Sequence, residues 1–260
     1  MNITALIDKF WEKYTSYTPS AKQIHQLFGE EITNDHIAFR TLNLPETSIE
    51  IQKEYLLKYG YAEKGQYDFE VKKLKAIHLE NEDPVMPKIF LSELLLEQFS
   101  TGLQKNFQEI FKNINLKDQE LFTGGRSWEI DFHTYNQLAN ESEYASWLYV
   151  WGFCPNHFTV SVNHLNSYQS LEEVNDLVKQ NGFLLNKSGG EIKGTPEELL
   201  EQSSIVADLQ KVDFSGTAHN VPSCYYEFAR RYEDSNGNIY QGFIAKSADK
   251  IFESTNFKNN

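Results

Sequence analysis

The stretches NDHIAFRTL (residues 34–42) and NHFTVSVNH (156–164) decide how this chain is read. Each opens on an asparagine, reaches a histidine within two residues and then runs mostly apolar, the pattern of a strand packed into a core. The two histidines, His36 and His157, stand 121 residues apart. The stretches that follow repeat as well. After a polar turn come SIEIQKEYLLKYGY (48–61) and SLEEVNDLVKQNGF (170–183), each with apolar residues at helical spacing. Each opens on a serine suited to an N-cap and closes on a glycine suited to a left-handed C-cap. The helices begin 122 residues apart, one residue from the spacing of the histidines, so strand, turn, helix and cap are duplicated together.

Both units continue in β character. The first gives YDFEVKKLKAIHLE (67–80) and KIFLSEL (88–94). The second gives the turn SGGEIKGTP (188–196), then SSIVADLQKVDF (203–214) and CYYEFARRY (224–232). The SNGN turn at 235–238, followed by IYQGFIA, predicts that the last strand folds back as a hairpin. The expected architecture is α+β: two βαβββ modules, at about 30–95 and 150–250, forming one curved sheet around a central metal cleft. Helices are added at 1–28 and in a connector at 95–127, and no Pro-rich linker divides the halves, so 1–260 reads as a single domain.

Composition narrows the functions. An apolar content of 40%, with 18 Phe and 14 Tyr, is enough for a sizeable core, and the formal net charge of −13 argues against nucleic acid as a partner. No apolar stretch has the length of a signal peptide core or a membrane span, which points to a soluble cytoplasmic protein. Cys154 and Cys224 form neither a CxxC pair nor a metal knuckle. No GxSxG motif is present, and SGGEIKGTP lacks the GK[ST] ending of a phosphate loop.

Strand alternation places His36, Ala38 and Arg40 on one face, and His157, Thr159 and Ser161 on the equivalent face of the second unit. A histidine from each unit, aimed into a shared cleft, supplies two metal ligands. Glu227, amid apolar and aromatic neighbours in CYYEFARRY, supplies a third, because a carboxylate buried there needs a partner. It is equally suited to pairing with Arg230 or Arg231. Two histidines and one carboxylate with open positions suit Fe(II) and O2 chemistry. They leave a divalent ion with about one residual positive charge, free to accept a chelating 2-oxo acid. Arg40 is placed to hold a second carboxylate, or else forms a structural salt bridge. His219, in GTAHNVPSC, is the substitute ligand. His164 falls on the opposite face, while His25, His78 and His133 read as helix-surface, strand-surface and loop residues. Ser203 and Asp208 are candidates for the far end of the pocket, although capping or turn roles suit them as well.

The motifs DHIAFRTL, NHFTVSVNHL, QSSIVAD and VPSCYYEFARRY, spread over residues 34 to 232, resemble the DUF1338 family. These are the 2-oxoadipate dioxygenase/decarboxylase, or 2-hydroxyglutarate synthase, proteins, related to the vicinal-oxygen-chelate fold and hydroxymandelate synthase. The resemblance implies metal ligands at His36, His157 and Glu227 and a substrate-binding arginine at Arg40. It further implies that Fe(II) and O2 convert 2-oxoadipate into 2-hydroxyglutarate with loss of CO2. Only 33 residues follow Glu227, so the substrate contacts that longer members carry well beyond their glutamate do not transfer. Two other functions share this cleft: a glyoxalase-type metal-dependent isomerase or lyase, and a non-catalytic small-molecule-binding protein.

Overall fold

A computed structural model describes residues 2–112 and 114–255. Two helices lead, α1 (Ile3–Tyr17) and α2 (Pro19–Leu27), followed by the first module: β1 (Asn34–Leu42), α3 (Ile49–Leu57), β2 (Tyr61–Phe69), β3 (Leu74–Asn81) and β4 (Lys88–Leu94). The connector holds α4 (Thr101–Phe111), α5 (Glu120–Thr123), α6 (Phe132–Glu141) and α7 (Glu143–Trp151). The second module is β5 (Pro155–Ser161), α8 (Leu171–Gln180), β6 (Lys193–Thr195) and β7 (Leu200–Ser204), completed by β10 (Tyr225–Arg231). Between β7 and β10 lies a separate hairpin, β8 (Leu209–Phe214) and β9 (Thr217–Pro222), and α9 (Ala245–Phe252) follows β10.

The modules share one sheet in the order β2-β3-β4-β1-β5-β10-β7-β6. Each is built alike: β1 pairs parallel with β4, and β5 pairs parallel with β10. The modules meet where β1 runs antiparallel to β5. Both module helices turn off through glycines in the left-handed region, Gly60 at φ 82° and Gly182 at φ 85°, where a Cβ would add strain. Of the two capping serines, Ser170 accepts from the Glu173 amide, whereas Ser48 makes no side-chain cap.

Three strand expectations need correction. Residues 67–80 form the hairpin of β2 and β3, and residues 203–214 divide between β7 in the main sheet and β8 in the separate hairpin. The expected hairpin after SNGN reduces to one bridge, Glu233 to Ile239, after which the chain turns into α9.

Alternation sorts the central strands by face. Ile37, Phe39, Phe158, Val160, Tyr226 and Phe228 are buried outward. The leading helices cover them: Trp11 meets Phe158 at 5.1 Å between ring centroids, Phe10 meets Phe39 at 5.0 Å and Phe28 meets Phe228 at 6.2 Å. Each such buried ring contributes about 1.5–3 kcal/mol relative to exposure. The opposite face carries His36, Arg40, His157, Thr159, Tyr225 and Glu227, all buried. There α9 lies across the sheet, with Phe252 against Phe69 at 5.4 Å. Among the described residues, no helix is long and apolar enough to cross a membrane.

Candidate metal centre

The register explains why three distant residues converge. His36 lies opposite Thr159 across β1 and β5, and Thr159 lies opposite Glu227 across β5 and β10. His36, Thr159 and Glu227 therefore form one row across the sheet. His157 stands in the adjacent row, opposite Ala38 and Tyr225. Ligand atoms of His36, His157 and Glu227 all lie within 4.8 Å of one another, and all three residues are buried. His157 Nε2 is 3.4 Å from His36 Nε2 and 3.2 Å from Glu227 Oε2, and His36 Nε2 is 3.6 Å from Glu227 Oε1.

The outer contacts set which nitrogen faces inward. His36 Nδ1 is 2.8 Å from Asp35 Oδ1, and His157 Nδ1 is 3.0 Å from Asn156 Oδ1. Each Nδ1–H donates to its neighbour's oxygen, so each Nε2 presents a lone pair to the centre. Asp35 is itself held by the Arg231 guanidinium, with Nε at 2.6 Å from Oδ2 and Nη2 at 2.9 Å from Oδ1. Burial alone would raise the Asp35 carboxyl, but Arg231 and His36 together hold it well below the usual carboxylate range. On the other side, Gln202 Nε2 donates to Glu227 Oε1 at 2.6 Å, while Glu227 Oε2 has no hydrogen-bond donor. Thr159 Oγ1 lies 3.1 Å from His36 Nε2.

Two imidazole lone pairs and a buried carboxylate oxygen facing one another repel unless a cation or proton lies between them. A divalent ion would resolve that repulsion, with His36, His157 and Glu227 as the residues to hold it. Burial lowers the pKa of His36 and, with the neighbouring His36 charge, pushes that of His157 well below the ordinary imidazole value. Both rings are thus already neutral near neutral pH. Burial raises Glu227 to about 8, against the Gln202 hydrogen bond. An ion held by these three groups would therefore displace a proton from Glu227 and none from the histidines. We expect Mn(II) or Zn(II) affinity, measured by calorimetry, to rise up to about tenfold per pH unit as the pH approaches about 8, then level off. About one proton should be released per ion below that point. Unchanged affinity across the range would remove Glu227 from the ligand set. Without metal the sign reverses: a carboxyl with a raised folded pKa makes the protein less stable as pH climbs from the unfolded value, ~4.3, towards about 8.

Arg40 lies on the same face, farther along β1. Burial disfavours its charge, but Glu143 outweighs that and the pKa is raised. Nη1 donates to Glu143 Oε1 at 2.8 Å and Nη2 to Thr255 Oγ1 at 3.1 Å, while Nε has no partner. The guanidinium also lies over the rings of Tyr144 and Trp147, at 4.9 Å and 5.0 Å. Its neighbours Glu143, Thr255, Trp147 and Phe252 in turn line part of a cleft of ≈ 740 Å³. A second cavity, at the centre, holds ≈ 20 Å³ and is walled by Phe90, Phe243, Ala248, Ile251 and Phe252 beside His36, His157, Gln202 and Glu227. Phe252 lines both.

The remaining candidates lie elsewhere. His219 is a strand residue of β9, stacked on Phe132 with centroids 3.5 Å apart, and is no substitute ligand. Ser203 points to the opposite face of β7 and donates to Asn175 Oδ1 of α8 at 2.7 Å. Asp208 accepts from the Ser20 amide at 2.9 Å and from its hydroxyl, fastening the start of α2. Neither belongs to the pocket. His78 is buried rather than a strand-surface residue, with Nδ1 2.8 Å from Tyr67 Oη. His25 is half-buried against Trp11, and His133 is exposed in the first turn of α6. His164 is exposed beyond β5 and bonded to Ser161. Glu227 pairs with neither Arg230 nor Arg231: Arg231 is taken by Asp35, and Arg230 donates to the Gln169 carbonyl.

Fold and site together define a class: two fused βαβββ modules around a buried centre of two histidines and one carboxylate. The family profile for 2-oxoadipate dioxygenase/decarboxylase matches residues 2–124 and 119–237. A protein of Oryza sativa subsp. japonica named 2-oxoadipate dioxygenase/decarboxylase, chloroplastic/amyloplastic, is 33% identical, over 96% of this chain and 78% of its own. The crystal structure of an Oryza sativa hydroxyglutarate synthase in complex with 2-oxoadipate superposes with TM-score 0.89 at 32% identity, covering 98% of this chain and 92% of that one. A Shewanella frigidimarina crystal structure, described as a candidate hydrolase, superposes with TM-score 0.90 at 46% identity, covering 94% and 98%. The chain belongs to the 2-oxoadipate dioxygenase/decarboxylase family.

Proposed function

We propose that the protein is an Fe(II)-dependent enzyme converting 2-oxoadipate and O2 into 2-hydroxyglutarate and CO2, with His36, His157 and Glu227 as metal ligands and Arg40 as substrate anchor. The observation that carries this reading is the buried trio with both Nε2 lone pairs and Glu227 Oε2 turned to one point. The equation balances in atoms without an external reductant. Bound iron would supply the Lewis acidity and the redox electrons that oxygen activation and decarboxylation require.

The chain's own residues do the rest. Asp35 and Asn156 hold the imidazoles in one tautomer and orientation, and Gln202 occupies Glu227 Oε1 so that Oε2 stays turned inward. Phe90, Phe243, Ile251 and Phe252 exclude water, which strengthens the charge interactions at the reacting end. Arg40 offers a cation for the second carboxylate of a diacid, held beside Glu143 and Thr255 at the wall of the ≈ 740 Å³ cleft. The ≈ 20 Å³ beside the ligands has room for about one water, so a diacid reaches them from the larger cleft by displacing Phe252.

Protein reconstituted with Fe(II) and given a panel of 2-oxo acids, with and without O2, tests the proposal. The expected result is O2-dependent release of CO2 and 2-hydroxyglutarate from 2-oxoadipate. Turnover without O2 and a preference for Zn or Ni would instead mark a glyoxalase-type isomerase or lyase. Metal-independent binding with no product would mark a sequestration protein.

A further inference from the structure

Of the nine buried side-chain atoms without a hydrogen-bond partner among the described residues, five belong to Arg40, Asn156, Gln202, Tyr225 and Glu227. All five lie on the central strands that carry His36, His157 and Glu227 or on β7 beside them. A buried polar atom left unpaired costs roughly 1–3 kcal/mol, and such a cluster marks a place completed by a ligand. Glu227 Oε2 faces the metal point, but Tyr225 Oη and Arg40 Nε have no part in ligating it.

The register shows where Tyr225 stands. Along the sheet, the row of His36, Thr159 and Glu227 is followed by the row of Ala38, His157 and Tyr225. Arg40, two residues beyond Ala38 on β1, comes next on the same face. Two residues along a strand span ~6.8 Å, so Tyr225, in the row of His157, stands one row from His36 and Glu227 and one row from Arg40. Its ring stacks on His157 with centroids 4.6 Å apart and planes inclined by 26°, which fixes its direction. It is fully buried, and the charges that act on its hydroxyl include Glu227, Arg40 and Glu143. Two of the three Arg40 nitrogens are engaged by Glu143 and Thr255, leaving Nε free.

We infer that the Tyr225 hydroxyl and the Arg40 Nε–H together receive the distal carboxylate of the substrate, making Tyr225 a residue that selects for a diacid. The inference rests on the dioxygenase reading and deepens it. With the 2-oxo end of the substrate at the metal ligands, a short methylene chain carries the far carboxylate past the row of His157 and Tyr225 towards Arg40. There the tyrosine O–H and the guanidinium N–H both donate to it. The two unpaired groups gain their partner only when substrate is bound, so the cost of leaving them bare favours occupancy. A 2-oxo acid ending in a methyl group leaves both donors unsatisfied and is rejected for that reason.

The test is Tyr225→Phe, which removes one oxygen and keeps the stacked ring. We expect the KM for 2-oxoadipate to rise about tenfold or more, the size of a lost hydrogen bond to a charged group, with kcat little changed. Anaerobic calorimetry of 2-oxoadipate binding should show the same loss. For 2-oxohexanoate, which has a methyl in place of the distal carboxylate, wild type and variant should be alike. The thermal midpoint without substrate should stay level or rise, because a buried hydroxyl without a partner has been removed. An unchanged KM and binding constant for 2-oxoadipate would overturn the inference, as would an equal loss for both substrates. Wild-type protein that binds iron yet leaves 2-oxoadipate unchanged would overturn the dioxygenase reading beneath it, a failure separable from the first.

Discussion

Replacing His157 or His36 with alanine is expected to abolish metal binding and turnover while leaving a folded chain. Each imidazole offers one of three candidate ligand atoms lying within 4.8 Å of one another. Loss of an outer-shell partner alone typically costs ~10–100-fold in metal affinity, so loss of a ligand should cost more than about 100-fold. The fold should survive because both rings sit on the inner face, while the outer face and its helices carry the packing of Phe10, Phe39 and Phe158. His157→Ala removes a ring stacked on Tyr225, so some stability is lost with it. Iron per chain after anaerobic reconstitution and desalting, together with circular dichroism, gives the answer. Either variant retaining full iron content and activity would refute the ligand assignment.

The second large effect lies one step outside the centre. Asp35→Ala should destabilise the protein by about 3–5 kcal/mol, the usual cost of leaving a buried charge unpaired. Arg231 and Asp35 have side chains only 4% and 3% exposed and meet through two hydrogen bonds, at 2.6 Å and 2.9 Å. Two further guanidinium bonds reach the carbonyls of Tyr240 and Gly242, which fastens the segment leading into α9. Asp35→Asn keeps the shape and one acceptor and should cost less. Because the Asp35 pKa is depressed, its contribution is present at pH values above the unfolded value, ~3.9, and is lost as the pH falls through the lower folded value. Denaturant unfolding in the presence of chelator measures both variants. A change in Asp35→Ala within ~0.5 kcal/mol would show that the pair carries no such load.

The duplication was legible because its parts are local: histidine strand, turn, capped helix and glycine recur at almost one offset. From that repeat followed the pairing of modules and the meeting of His36 with His157. Strand boundaries were less legible where turns lack their usual residues. Between β2 and β3 the chain turns at residues 70–73 with Lys73 at φ 55°, so no glycine interrupts the alternating pattern. β7 likewise gives way to β8 across Ile205–Asp208 with neither glycine nor proline. α7, EYASWLYVW, is buried on every side and so shows no amphipathic period. α9 is only eight residues long and follows a turn that reads as a hairpin. Gln202 and Tyr225 gave no signal as single residues in strands. Their place at the site appears only once the register of β10 against β5 and β7 is known. Asp35 and Asn156 each precede a histidine directly, a shared feature that could have flagged them as the groups fixing the imidazole tautomers.

Crystals grown and soaked with Fe(II) under nitrogen, and measured across the iron absorption edge, offer the most direct check. The account predicts one strong anomalous peak per chain, bonded by His36 Nε2, His157 Nε2 and Glu227 Oε2 at ordinary iron-ligand distances. A difference map with no peak at that point, or with the iron bound by other side chains, would contradict it.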